Sequence, residues 1–187
     1  MDAAAKCPST VFADVDKGEW YHEAVDFMVE KGYMNGLSKT EFGVNGTVTR
    51  AQLVTILYRI AGEPSVAGKT CAFTDVSAGQ WYTDAVIWAE ENGFVNGINA
   101  TTFAPDLEVT REQMVTILYR YDGTAEADEK ALAGFIDAAS IAGYAKDAFA
   151  WAVSNGVVNG MSETNLVPVG TATRAQICAI VMRYLSL

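Results

Sequence analysis

Apolar residues recur with helical spacing at three places along the chain. Leu53, Ile56, Leu57 and Ile60 form one run; Met114, Ile117, Leu118 and Tyr121 form a second; Ile177, Ile180, Val181 and Tyr184 form a third. Spacing at i, i+3, i+4 and i+7 predicts an α-helix with one apolar stripe in each case. Each run is preceded by Thr-Arg-x-Gln, at Thr49–Gln52, Thr110–Gln113 and Thr173–Gln176. A threonine followed three places later by glutamine predicts a capping box that starts the helix. A shorter helix is predicted upstream of each, with Ala24, Phe27 and Met28, then Ala85, Trp88 and Ala89, then Ala148, Trp151 and Ala152 on its inner face. Gly32, Gly93 and Gly156 stand where a left-handed C-terminal cap would end it. An apolar pair and Asn-Gly follow in all three copies, at Asn35-Gly36, Asn96-Gly97 and Asn159-Gly160.

The copies extend further. Phe12-x-Asp14 matches Phe73-x-Asp75 and Phe135-x-Asp137, with an aspartate suited to closing a turn. Trp20 matches Trp81 and, after one inserted residue, Tyr144. The chain therefore reads as a mainly α protein, a single domain over 1–187 built of three helix-loop-helix repeats, about 11–62, 72–122 and 134–187. No repeat can bury its stripe alone, which predicts that the three longer helices share a core.

Arg50, Arg111 and Arg174 lie in the first turn of their helices, where a cation opposes the helix dipole. Arg59, Arg120 and Arg183 lie in the last turn, where the dipole favours them. The first set needs a different explanation. Either the arginines hold an anion beside the helix N-terminus, or they pair with carboxylates of a neighbouring repeat.

These residues carry a resemblance to the S-layer homology domain family. The pattern Phe-x-Asp-Val, Trp, helix, Gly, apolar pair, x-Gly, Phe, Thr-Arg covers almost the whole chain in three copies. The resemblance implies a pseudo-threefold helical prism around a shared three-helix core. It implies a non-catalytic surface-anchoring module that binds a secondary cell-wall polysaccharide, often pyruvylated, in grooves between repeats. Arg50, Arg111 and Arg174, with Gly36, Gly97 and Gly160, would then face the ligand. It also implies an extracellular place at the cell wall or S-layer, and further domains of a longer surface protein. The sequence departs from the family in having Gln at the fourth position of Thr-Arg-x-Gln. The third repeat is more worn, so Arg174 is expected to matter least. The competing expectation is a protein-interaction or S-layer assembly module whose arginines pair with acidic residues.

Composition narrows the partners. Half of the 187 residues are apolar and the net charge is -10, which argues against nucleic acid or an anionic membrane surface. An anionic ligand would have to be held by local arginines against the overall field. No apolar run is long enough to span a membrane. Met1–Lys6 lacks the apolar core of a signal peptide, which fits a cytoplasmic protein or a mature or truncated piece of an exported one.

Other chemistry is sparse. Trp20 and Trp81 could stack on a sugar ring, although a tryptophan before a helix more often staples it to the core, and the core reading is preferred. Asp14-Val15-Asp16-Lys17-Gly18 opens like a calcium loop but lacks the later ligands. His22 is the only histidine, and no zinc site or catalytic triad is assembled from it. No enzyme, cofactor or metal is expected. Cys178 replaces Val54 and Val115 and reads as a buried apolar residue. Cys7 and Cys71 each precede a Phe-x-Asp turn. A disulfide between them would suit an exported protein, and free thiols a cytoplasmic one; the disulfide is favoured.

Overall fold

A computed structural model describes residues 7–123 and 126–187, so the reading of Met1–Lys6 lies outside the described residues. Six α-helices occur among them: α1 (His22–Glu30), α2 (Arg50–Ile60), α3 (Thr83–Glu91), α4 (Arg111–Asp122), α5 (Lys146–Ser154) and α6 (Arg174–Tyr184). Short 3-10 turns lie at Pro8–Val11, Glu129–Gly134, Ala138–Ser140 and Gly143–Ala145. Sheet is absent among the described residues; only isolated antiparallel bridges occur, such as Thr49 with Glu108 and Thr110 with Thr171. The mainly α class therefore holds.

All three capping boxes form. The Thr49, Thr110 and Thr173 side chains accept from the backbone N–H of Gln52, Gln113 and Gln176, and each glutamine side chain returns the bond. The three helices are buried more completely than a single stripe requires. Val54, Val115 and Cys178 are fully buried beside the predicted positions, whereas Ile60, Tyr121 and Tyr184 at the helix ends are only half-buried. Thr55 and Thr116 are buried as well, and satisfy their hydroxyls on the carbonyls of Ala51 and Glu112 one turn back. Gly32, Gly93 and Gly156 take φ of 71°, 73° and 69°, the left-handed conformation expected after the shorter helices.

The chain forms two compact units, Met1–Thr47 with Thr173–Leu187, and Val48–Ala172. In the first, α6 of the third repeat packs on α1 of the first. Ala24, Val25 and Met28 meet a helix buried through Ile177, Cys178 and Val181, and the Cys178 thiol touches the Met34 sulfur at 3.5 Å. In the second unit, α2 packs on α3 and α4 on α5. Aromatic rings carry both contacts: Trp88 of α3 meets Tyr58 of α2 at 5.5 Å, and Trp151 of α5 meets Tyr119 of α4 at 5.5 Å. Each Thr-Arg helix is thus partnered by the short helix of another repeat.

Cys7 and Cys71 are free thiols, so the expected disulfide does not form. The Cys7 sulfur is instead engaged by His22 and Asp26, while that of Cys71 points to the Phe73 carbonyl at 4.0 Å. Trp20 and Trp81 are about 60 % exposed, against the preferred core reading. Each lies edge-on to its neighbour, Tyr21 or Tyr82, outside the start of the helix rather than beneath it.

Candidate functional site

The site is built from the Phe-x-Asp turn upward. Asp14 accepts from the backbone N–H groups of Phe42, Gly43 and Val44; Asp75 from Phe103 and Ala104; Asp137 from Leu166 and Val167. Each aspartate thereby locks the loop ahead of a Thr-Arg helix. For Asp14, burial works against the charge, but the three backbone donors outweigh it and hold the carboxyl below its ordinary value.

The locked loop presents a carbonyl to the arginine of another repeat. Arg50 Nε donates to Phe103 O, Arg111 Nε to Leu166 O and Arg174 Nε to Phe42 O, each at 2.8 Å. The guanidinium carbon lies over the Phe103 ring at 4.8 Å for Arg50 and over Phe42 at 4.6 Å for Arg174. Leucine at position 166 offers Arg111 no such face. All three arginines are buried, and that burial lowers their pKa, a sign that the charge is incompletely compensated. Among the described residues no carboxylate lies within ion-pair distance of them; the ion pairs present involve His22, Arg59, Lys69 and Lys146.

The helix N-termini themselves are closed to a ligand. Arg50 N and Ala51 N donate to Leu107 O and Pro105 O, and the equivalent pairs in α4 and α6 do the same. The capping threonine takes the next N–H. An anion beside these helices would therefore meet guanidinium nitrogens and not backbone amides. The wear of the third repeat also falls elsewhere than expected. Arg174 reaches the first repeat, bonding Phe42 O and, through Nη2, Asn35 O at 2.6 Å, whereas Arg111 reaches the worn third repeat.

A groove of about 360 Å³ opens beside Arg50. Its walls are the Val95–Ile98 loop, one face of α4 with Gln113, Thr116, Ile117 and Arg120, and Tyr144. Two cations, Arg50 and Arg120, share it, and none of its lining residues is acidic. The Tyr144 hydroxyl donates to Glu112 at 3.0 Å; burial and that carboxylate push the phenol up to about 12, so it stays neutral. Arg120 also donates to Phe94 O at 3.4 Å. The sequence offers helix-end charge as a sufficient reason for Arg120. Its place in the groove depends on which face α4 turns outward, and periodicity does not specify that.

Gly97 lines the groove, yet its identity is set by packing. A Cβ there would lie 2.5 Å from Asn99 O and 2.6 Å from both Thr102 O and the Phe73 ring. Gly36 and Gly160 are crowded in the same way, by Phe12 and Phe135 and by loop carbonyls.

A family model for the S-layer homology domain matches residues 11–54, 72–115 and 134–178. The chain belongs to that family. Among similar proteins, a surface-layer 125 kDa protein of Lysinibacillus sphaericus is 35% identical over 164 residues, 86% of this chain and 14% of that protein. An amylopullulanase of Thermoanaerobacterium thermosulfurigenes is 30% identical over 175 residues, 91% of this chain and 9% of that enzyme. An exoglucanase of Acetivibrio thermocellus is 29% identical over 178 residues, 92% of this chain and 16% of that enzyme. The chain spans less than a fifth of each. S-layer homology modules thus occur in S-layer proteins and in enzymes alike. The module is non-catalytic, and the catalytic domains of such enzymes are other regions. No helix among the described residues of this module is long and apolar enough to cross a membrane.

Proposed function

We propose that this S-layer homology module anchors its parent protein by binding an anionic secondary cell-wall polysaccharide, with a pyruvylated sugar as the group recognised. The observation that carries the reading is the groove with Arg50 and Arg120 on its walls and no lining carboxylate. Arg50 commits Nε to a backbone carbonyl, which fixes the plane of the guanidinium and leaves its terminal nitrogens for a two-pronged contact with a carboxylate. Gln113, Asn96 and the neutral Tyr144 phenol supply the dispersed hydrogen bonding that sugar hydroxyls need. Arg111 and Arg174, with Gly36 and Gly160, are the corresponding residues of two further sites. The exposed rings of Trp20 and Trp81 are stacking platforms for the sugar. We take the three repeats as one pseudo-threefold domain, 1–187, whose sites act on a single polymer, so that modest affinities combine into durable attachment. Pairing of the arginines with acidic residues is the weaker alternative, because carbonyls occupy the positions where internal carboxylates would stand.

The test is co-sedimentation with purified cell walls, before and after chemical removal of the secondary polymer. Arg120→Gln should keep the melting temperature and weaken binding about ten- to a hundredfold, the value of one charge-assisted bond. Arg50→Ala should lose binding and also about 1–3 kcal/mol of stability, since it leaves the Phe103 carbonyl without its buried donor. Wall binding that survives polymer removal, or that is unchanged in Arg120→Gln, would overturn the proposal.

A further inference from the structure

Away from the arginine groove, three side chains capable of binding a metal converge near the start of the described chain. Cys7 Sγ lies 3.0 Å from His22 Nε2 and 3.1 Å from Asp26 Oδ2, and those last two atoms are 3.4 Å apart. His22 and Asp26 stand one turn apart on α1, the i, i+4 spacing that puts two ligands on one helix face. Cys7 is brought over that face by the Pro8–Val11 turn, which its own carbonyl closes by accepting from Thr10 N and Thr10 Oγ1. Asp26 is oriented from behind, its second oxygen accepting from Ser9 N at 2.8 Å. Such outer bonds hold ligands in metal sites.

The geometry separates a metal site from a catalytic thiol. In a thiol–imidazole–carboxylate relay, the thiol and the carboxylate bond opposite nitrogens of the ring. Here both meet Nε2. Three donor atoms therefore surround one point instead of forming a line. Zinc bonds of about 2.0–2.3 Å at tetrahedral angles place donors roughly 3.3–3.6 Å apart, so the nitrogen–oxygen edge already fits and the two edges to sulfur need open by about half an ångström. A further group points to an occupant. Ser9 is buried and its hydroxyl has no hydrogen-bond partner, although its own backbone N–H is bonded to Asp26. That hydroxyl is free to donate to a thiolate or carboxylate bound to a cation.

We propose that Cys7, His22 and Asp26 form a zinc site that clips the Pro8–Val11 turn to α1, with water as the fourth ligand. One sulfur, one nitrogen and one oxygen suit a borderline-soft divalent ion and not calcium or magnesium. The sequence hides the site because Cys7 is fifteen residues from His22 and the intervening turn brings them together.

Cobalt serves as the probe, added to the full chain kept reduced by a non-chelating phosphine. One equivalent should produce a thiolate-to-cobalt charge-transfer band and tetrahedral d–d bands, and one equivalent of zinc should displace both. Cys7→Ser should abolish the charge-transfer band, while Cys71→Ser should leave it unchanged. His22→Gln preserves the size and polarity of the side chain and should weaken cobalt binding at least about tenfold. It should also remove the rise in melting temperature that zinc gives the parent protein. If the parent protein yields no charge-transfer band, or Cys7→Ser retains it, the proposal fails. A zinc-induced rise in melting temperature that persists in His22→Gln overturns it equally.

Discussion

The most constrained residues of this module are the aspartates of the Phe-x-Asp turns and the residues their loops force into the left-handed region. Gly43, Ala104 and Val167 occupy the same place in the three repeats, with φ of 79°, 59° and 53°. Only glycine takes that conformation without cost, and the strain is greatest for valine because it is branched at Cβ. Val167→Gly should therefore stabilise the protein by about 0.5–1 kcal/mol after allowing for the extra freedom of glycine in the unfolded chain, as read by urea denaturation. The reverse change, Gly43→Val, should destabilise it, because a Cβ there falls 2.4 Å from Leu37 Cδ1. Asp14 adds a pH dependence. Its folded pKa is below the ordinary 3.8, so the carboxylate stabilises the fold at pH above that value, and the contribution is lost as pH falls through the depressed folded value. Thermal melts between about pH 5 and pH 2 should show this loss in the parent protein, and Asp14→Asn should flatten that part of the curve.

At the scale of elements, each helix start has two layers of satisfaction. The capping box closes it locally, and the loop carbonyls of another repeat close what remains. This explains how a first-turn arginine is tolerated against the dipole: its Nε crosses to a carbonyl while the helix amides are already occupied. The tryptophans divide by element as well. Trp88 lies inside α3 against Tyr58, Phe94 and Tyr121, whereas Trp81 precedes the helix and is exposed. Trp88→Ala should cost about 3–5 kcal/mol in chemical denaturation. Trp81→Ala should change stability by no more than about 0.5 kcal/mol while reducing retention on wall polymer. Equal retention by Trp81→Ala would remove that ring from the binding surface.

At the scale of the whole molecule, the two ends of the chain depend on each other. The unit that holds α1 is completed by Thr173–Leu187, and α6 supplies the surface that covers Ala24, Val25 and Met28. Ending the chain at Ala172 should expose that face of α1. Amide exchange over His22–Glu30 should then accelerate toward the rate of an unfolded segment, while α4 and α5, which pack on each other within Val48–Ala172, should stay protected. Protection of α1 that survives the truncation would mean that the shorter helix has another cover.

Local chemistry written in consecutive residues is legible in the sequence by itself: the capping boxes and the glycine helix ends rest on interactions within a turn or two of chain, and the three repeats and the burial of Cys178 are read from the repeated pattern. The same residues, read without their distant neighbours, put Trp20 and Trp81 in the core, join Cys7 to Cys71 and set His22 aside. In each case the outcome depends on whether a distant residue arrives beside the side chain, and periodicity carries no such information. Tertiary structure alone decides that Arg174 reaches the first repeat, that Arg120 shares a groove with Arg50, and that Cys7, His22 and Asp26 meet at one nitrogen. The physical reason is common to all three. A helix pattern defines which face is buried, whereas the packing of that face on another repeat defines what the remaining faces confront.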